Sequence, residues 1–479
     1  MLRKSFAALL MVSLMSVLAA CSRPPEARGT AISNVTVIDA VHGVRDAQTV
    51  IFDGDEIIAV GSAGDDLPAV KNEIDGSGRF LIPGLWDMHV HLTFDERFTA
   101  SMPASFLYYG ITSVRDTGGM VEKLQPVIAA MRAKDAHSPR VWWSGPLQDG
   151  SRVVYDGESR PLIGQQNASP AAARDSVLAL ADAGVDFIKI YELVRPDVFE
   201  ALAAAARERN LPIAAHVPLS MTALYAGPEV DSMEHLRNVE LACAANAGEL
   251  LEQRLSLMAE ANDISGADLR SSIHALQRLP AIANYDAARC ADVIDALAGT
   301  IQVPTLRLNA MTLVPPFDRA GFPAAVELLP AEVAAEWRKV GEDRASSDEV
   351  RDTTFGEWSL RLSGDMNRAG VPIGAGTDAP IGIAIPGYSL HSELEMLVRA
   401  GLSPLEALQA ATVRPAQFFG LEDKMGTIAP GMRADLLLLN ANPLDAIANT
   451  REIDTVVSQG RVMPRGYLLD KLRESLTAL

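Results

Sequence analysis

Cysteine is scarce in this 479-residue chain, with three residues at positions 21, 243 and 290. Once Cys21 is set aside, Cys243 and Cys290 can make at most one disulfide. They are either a bridge formed in an oxidising compartment or two buried free thiols, because spacing alone does not give distance. Positive charge is also short. The 42 Lys and Arg residues face 61 Asp and Glu, a formal net charge of -19. So acidic a surface argues against nucleic-acid binding. Beyond the first twenty residues no run is long and apolar enough to span a bilayer. What is present is a globular composition, 48% hydrophobic and 22% charged. The length allows a large core and more than one domain.

The first twenty residues read as a signal peptide and are excluded from the fold. Arg3 and Lys4 form the positive start, and residues 6–18 the apolar core. Leu18-Ala19-Ala20-Cys21 follows and resembles a bacterial lipobox, with Cys21 as the lipidated residue. Ser22, which is not Asp, favours the outer membrane by analogy with lipoprotein sorting. The expected location is therefore the cell envelope, lipid-anchored and facing the periplasm. Residues 21–31 read as a flexible tether.

Residues 32–80 are β-rich, and Asp53-Gly54-Asp55 marks a hairpin turn. A similar pattern returns over 424–468. The two ends are expected to pair into one small β-sandwich domain, with 81–423 inserted between them. That middle part alternates strands and helices. Candidate strands cover 86–92, 111–117, 141–146, 187–192, 213–217, 232–236, 302–306 and 373–378. Eight strands in this rhythm predict an α/β fold of the (β/α)8, or TIM-barrel, type. Two insertions, about 239–300 and 307–367, follow strands six and seven. They would overhang the face where barrels place active sites, which makes them the expected source of selectivity.

His89 and His91 lie two apart on the first strand, so both imidazoles point to one face and can grip one metal ion. Lys189 and Tyr191 share a face of strand four in the same way. His216 ends strand five, His235 strand six and Asp378 strand eight. Each also has a plainer reading. A lone His on a strand is more often a packed core residue. Lys189 could pair with Asp186 or Glu192, and Asp378 could serve a turn before Pro380. Of the remaining histidines, His42 and His137 read as surface residues and His274 as solvated. His391 reads as a packing or capping residue, with a site-facing role as the alternative.

Taken together, these tracts resemble the amidohydrolase superfamily, in its imidazolonepropionase-like and prolidase-like branch. The matching stretches are Pro83-Gly84-Leu85-Trp86-Asp87-Met88-His89-Val90-His91, Thr112-Ser113-Val114-Arg115-Asp116, Glu234-His235-Leu236, Gly376-Thr377-Asp378 and the run from Gly426 to Leu436. The resemblance implies a metal-dependent hydrolase that cleaves an amide or peptide-like C–N bond. It implies two divalent ions, with His89, His91 and Asp378 on the first and His216 and His235 on the second. Lys189 would bridge them as a carbamate. Zinc is the default for imidazole donors, and manganese or cobalt also suits such a mixed set.

By the same resemblance, a metal-bridging hydroxide attacks the carbonyl, and Asp378 takes its proton and passes it to the leaving nitrogen. Tyr191 either donates to the oxyanion or a substrate carboxylate, or packs at the barrel mouth. One departure stands out. Prolidase-like relatives often carry a histidine after strand three, and residues 143–150 contain none. The expected substrate is a small molecule or dipeptide-like compound, such as a dipeptide or N-acyl amino acid. Homo-oligomerisation is compatible with the sequence, and the membrane is met only through Cys21. The alternatives are a mononuclear deaminase or cyclic-amide hydrolase, and a ligand-binding lipoprotein without catalysis.

Overall fold

The computed structural model describes residues 27–158, 160–261, 263–347 and 350–477. The expected signal peptide, Cys21 and the first part of the tether lie outside the described residues. Among the described residues no helix is long and apolar enough to cross a membrane.

The two ends of the chain meet in one eight-stranded sheet. Its order is Arg461–Pro464, Ile453–Ser458, Leu436–Leu439, Phe80–Pro83, Thr30–Asp39, Gly43–Asp53 and Glu56–Ser62, with Asn72–Asp75 also pairing with Thr30–Asp39. The closing contact is antiparallel, Leu438 opposite Leu81 and Leu437 opposite Ile82. Alternation decides what each face does. Val35, Val37, Leu81, Leu436 and Leu438 bury one apolar cluster with Phe52 and Ile57, while Leu437 and Leu439 join the main core.

The rest is a barrel. Strand one is Leu85–Val90, strand two Ile111–Asp116 and strand three Arg140–Trp143, joined in parallel. Strand three resumes at Leu147–Asp149, which pairs with strand four, Ile188–Ile190. Strands five, six and seven are Ile213–Ala215, Ser232–Glu234 and Ile301–Val303, again in parallel order. Residues 372–379 complete the ring with fewer bonds than a regular strand. The Gly374 amide donates to the Gln302 carbonyl at 2.8 Å, and the Met88 amide to Ala375 at 2.9 Å. Parallel strands covered on both faces read as continuous apolar runs, and strands one, two and four are buried along their whole length.

The strands end earlier than the sequence pattern predicts, and the site begins where they stop. His91, Tyr191, His216 and His235 each lie just past a strand end. The predicted strand 302–306 ends at Val303, and Leu306 opens a helix, Leu306–Asn309. His235, Thr305 and Asp378 all have φ between 47° and 66°, in the left-handed region. A non-glycine residue there costs about 1–3 kcal/mol and persists only when its surroundings hold it.

Both insertions are largely helical. The first holds Val239–Ala242, Ala247–Glu260, Gly266–Ala283 and Ala287–Ala296, and the second includes Ala331–Ala345 and Thr354–Arg368. A Cys243–Cys290 disulfide staples the first insertion. Of the two readings open from the sequence, the bridge is the one found. The Gly266–Ala283 helix buries a mixed face, with Leu269 and Ile273 beside polar side chains. It buries Arg270, His274 and Gln277, while Leu276 is 57% and Leu279 40% exposed.

Candidate active site

The barrel closes on a pocket of about 150 Å³ at the C-terminal ends of its strands. His89, His91, Lys189, His216, His235 and Asp378 all line it, and so does Tyr191. All seven are buried. The ligating atoms of His89, His91 and Asp378 lie within 4.8 Å of one another. The Asp378 Oδ1 is 3.2 Å from Nε2 of both imidazoles. The His235 ring is 4.5 Å from that of His89 and 4.8 Å from that of His216.

The hydrogen bonds fix which nitrogen of each ring faces the pocket. Nδ1 of His89 meets the Glu234 carboxylate at 2.7 Å, and Nδ1 of His216 meets Glu192 at 2.7 Å. Nδ1 of His91 meets the Gly118 carbonyl at 3.0 Å. These partners only accept, so each Nδ1 carries the proton. The fourth case reaches the same result through Thr305. Its hydroxyl donates to the Pro304 carbonyl, so its oxygen accepts from Nδ1 of His235 at 2.6 Å. All four imidazoles therefore keep their Nε2 lone pair for a ligand. Partners of this kind lock the ring and raise the basicity of the ligating nitrogen.

Lys189 sits among them with its Nζ buried and without a hydrogen-bond partner among the described residues. Neither pairing weighed from the sequence occurs. Asp186 takes Arg132 at 2.7 Å, and Glu192 is filled by other donors. Burial, helped by the charge of Arg115, pulls the Lys189 ammonium down to about 8. An amine that loses its proton this readily, beside four Nε2 lone pairs and a carboxylate, fits a carbamate shared between two cations. The donor set fits divalent metal.

Charges around the site are sorted by their partners. Burial opposes ionisation of Asp378, and only imidazolium charge on His235, His89 and His91 would outweigh it and hold the carboxyl well below its usual range. Burial likewise opposes Glu234, and the cations Arg115 and Lys189 together with His89 hold it well below. Burial and the charge of Lys189 push the His216 imidazole down to about 4, its neutral and ligating form. Burial raises the Tyr191 phenol well above its usual value, so it stays a donor.

Glu192 is the residue whose role was not read from the sequence. Its carboxylate receives His216 at 2.7 Å, the Arg270 guanidinium at 2.8 Å and Nε2 of His274 at 2.6 Å. Arg270 and His274 come from the first insertion, so that insertion holds a group that orients a barrel histidine. The expectation that His274 is solvated is therefore wrong. It is buried, and burial lowers it to about 4. His391 lies away from the site, packed between Thr450 and the Tyr109 carbonyl at 2.8 Å each. His42 and His137 are exposed. After strand three, Leu147 lines the pocket.

The amidohydrolase family model matches residues 80–289 and 359–463. The chain belongs to the amidohydrolase family. Among curated proteins it is 40% identical over 89 residues to imidazolonepropionase of Rubrobacter xylanophilus, covering 17% of this chain and 21% of that protein. It is 35% identical over 86 residues to adenine deaminase of Ligilactobacillus salivarius, covering 18% of this chain and 15% of that protein. The chain thus spans a minor part of each curated relative. Among solved structures it resembles a Xaa-Pro dipeptidase with methionine bound in its active site, at TM-score 0.64 and 19% identity, over 91% of this chain and 99% of that one. It also resembles the bottromycin amidohydrolase, at TM-score 0.67 and 23% identity, over 95% and 91%. Likeness at that identity speaks for the fold of this amidohydrolase family member.

Proposed function

We propose that this amidohydrolase hydrolyses a C–N bond in a small peptide-like substrate, such as a dipeptide or an N-acyl amino acid. The observation that carries this is the set of four Nδ1-anchored imidazoles around a partnerless buried lysine. His89, His91 and Asp378 would hold one divalent ion, His216 and His235 a second, and Lys189 as a carbamate would bridge them. Zinc suits the imidazoles, with manganese or cobalt as substitutes. Bound there, the ions polarise a carbonyl and bring the pKa of water toward about 7. Asp378 is buried at the pocket wall, placed to take a proton and return it to the leaving nitrogen. Tyr191 keeps its phenolic proton and can donate to the substrate from beside His216.

Asp378→Asn should retain most bound metal and lose about 100-fold or more in kcat on a dipeptide and N-acyl amino acid panel. Full activity in that variant would end the role of Asp378. A one-ion deaminase or cyclic-amide hydrolase is the second reading. The compact His89–His91–Asp378 group favours it, as does the local similarity to adenine deaminase. One ion per chain, with Lys189→Ala still active, would decide for it. We also infer a lipid anchor at Cys21 on the periplasmic face of the outer membrane, supported by the lipobox-like sequence. The disulfide suits that oxidising compartment. Palmitate labelling that survives Cys21→Ser would refute the anchor.

A further inference from the structure

The pocket reverses the charge of the protein around it. The chain carries a net charge of -19, yet Asp378 is the one carboxylate among the described residues lining the pocket, which also presents Arg160, Arg237 and Arg270. The three guanidinia are not equivalent. Arg270 is spent on Glu192 at 2.8 Å and lies over the Tyr191 ring at 5.8 Å. Arg237 comes two residues after His235, and Glu192 is its nearest carboxylate, at 3.8 Å. That is too long for a hydrogen bond, and the Glu192 oxygens are already taken by His216, Arg270 and His274. Arg160 comes from the excursion between Leu147–Asp149 and Gly164–Gln166. It has no carboxylate partner among the described residues, and its guanidinium lies over the Tyr155 ring at 5.6 Å.

Edge-on and tilted ring contacts connect these arginines to the site. Tyr155 meets Tyr191 at 5.8 Å, and Tyr191 meets His216 at 4.5 Å. Two guanidinia that make no hydrogen bond among the described residues, on the wall of a narrow pocket, match a planar carboxylate, which they can grip in bidentate fashion. In an N-acyl amino acid or dipeptide the free carboxylate lies two bonds from the scissile nitrogen. A carboxylate held by these arginines would direct the amide toward the histidines that line the same pocket.

We propose that Arg160 and Arg237 form a carboxylate-recognition rim that restricts this enzyme to substrates with a free carboxylate next to the scissile amide. The inference rests on the C–N hydrolase reading above. The test is calorimetric binding of N-acetyl amino acids and their matching carboxamides to the metal-loaded protein, and to Arg160→Gln and Arg237→Gln. A charge-assisted pair of this kind predicts acid over amide by about 10- to 100-fold in the parent protein. Each variant should lose most of that preference by weakening the acid, with the amide unchanged. Equal binding of acid and amide, binding of neither, or variants that keep the preference would each overturn the rim. Hydrolysis is scored separately. A protein that prefers the acids but turns over none of them would refute the hydrolase reading and leave the rim standing.

Discussion

Glu192→Gln is the sharpest perturbation this structure offers, because one buried carboxylate serves both the site and the insertion above it. The side chain is fully buried and receives three charged or polar donors between 2.6 and 2.8 Å. Glutamine has nearly the same shape but one acceptor oxygen. Its amide group would turn N–H toward either His274 or the His216–Arg270 pair, donor against donor. Removing one partner of a buried ion pair costs about 3–5 kcal/mol, since the other charge stays buried. Here that charge is Arg270. The loss should appear first in the insertion, as faster hydrogen exchange over the helix Gly266–Ala283. His216 also loses the acceptor that fixes its ring, a change that lowers metal affinity by about 10–100-fold. Chelator competition on the metal-loaded protein reads this directly. The pH dependence gives an independent check. Despite the cost of burial, Arg270 and the two histidines hold Glu192 well below its ordinary 4.5. The native state therefore binds fewer protons than the unfolded one, and the stability this gives is present above 4.5 and lost as pH falls through the lower native value. The variant should lack that part of the acid limb. A variant with metal affinity within about threefold of the parent, and unchanged exchange in that helix, would refute the coupling.

Other predictions follow from single contacts. Replacing Cys243 and Cys290 by serine reopens a loop with a sequence separation of 47, worth about 4 kcal/mol on the chain-entropy model. Urea unfolding followed on the insertion should shift accordingly, and an unshifted midpoint would count against the staple. Burial lowers His391 to about 3 at a position remote from the pocket. The unfolded state gains that proton first, so stability should fall as pH drops from 6.5 toward 3. His391→Gln should flatten part of that slope, and an unchanged slope would exclude His391 as a source.

The pocket was readable because its residues sit at strand ends with a spacing of two. His89 and His91, and Lys189 and Tyr191, share faces by simple alternation, and the barrel brings the strands together. The Nδ1 partners were harder to read. Glu234 stands within a recognised tract, but nothing local shows that it reaches His89 across 145 residues. The insertion was misread for a definite reason. In the helix Gly266–Ala283, Arg270, His274 and Gln277 are buried alongside Leu269 and Ile273, while Leu276 and Leu279 face outward. Nothing local shows that His274 has a buried carboxylate, Glu192, to reach across 82 residues, and without one an imidazole in a polar helix reads as solvated. The early strand ends were hidden because left-handed residues at His235, Thr305 and Asp378 leave no compositional trace.

The anchoring of the four imidazoles also constrains how this protein matures. His89 is oriented from strand six, His91 from the loop after strand two, His216 from beyond strand four and His235 from beyond strand seven. No partial barrel contains a finished set, and Asp378 is the last member to leave the ribosome. On the proposed reading, competence to capture an ion would come late in biogenesis, once Asp378 joins the other members. If the chain crosses a membrane unfolded, any metal it took up would be selected by the supply on the far side, not by the cytoplasm that made it.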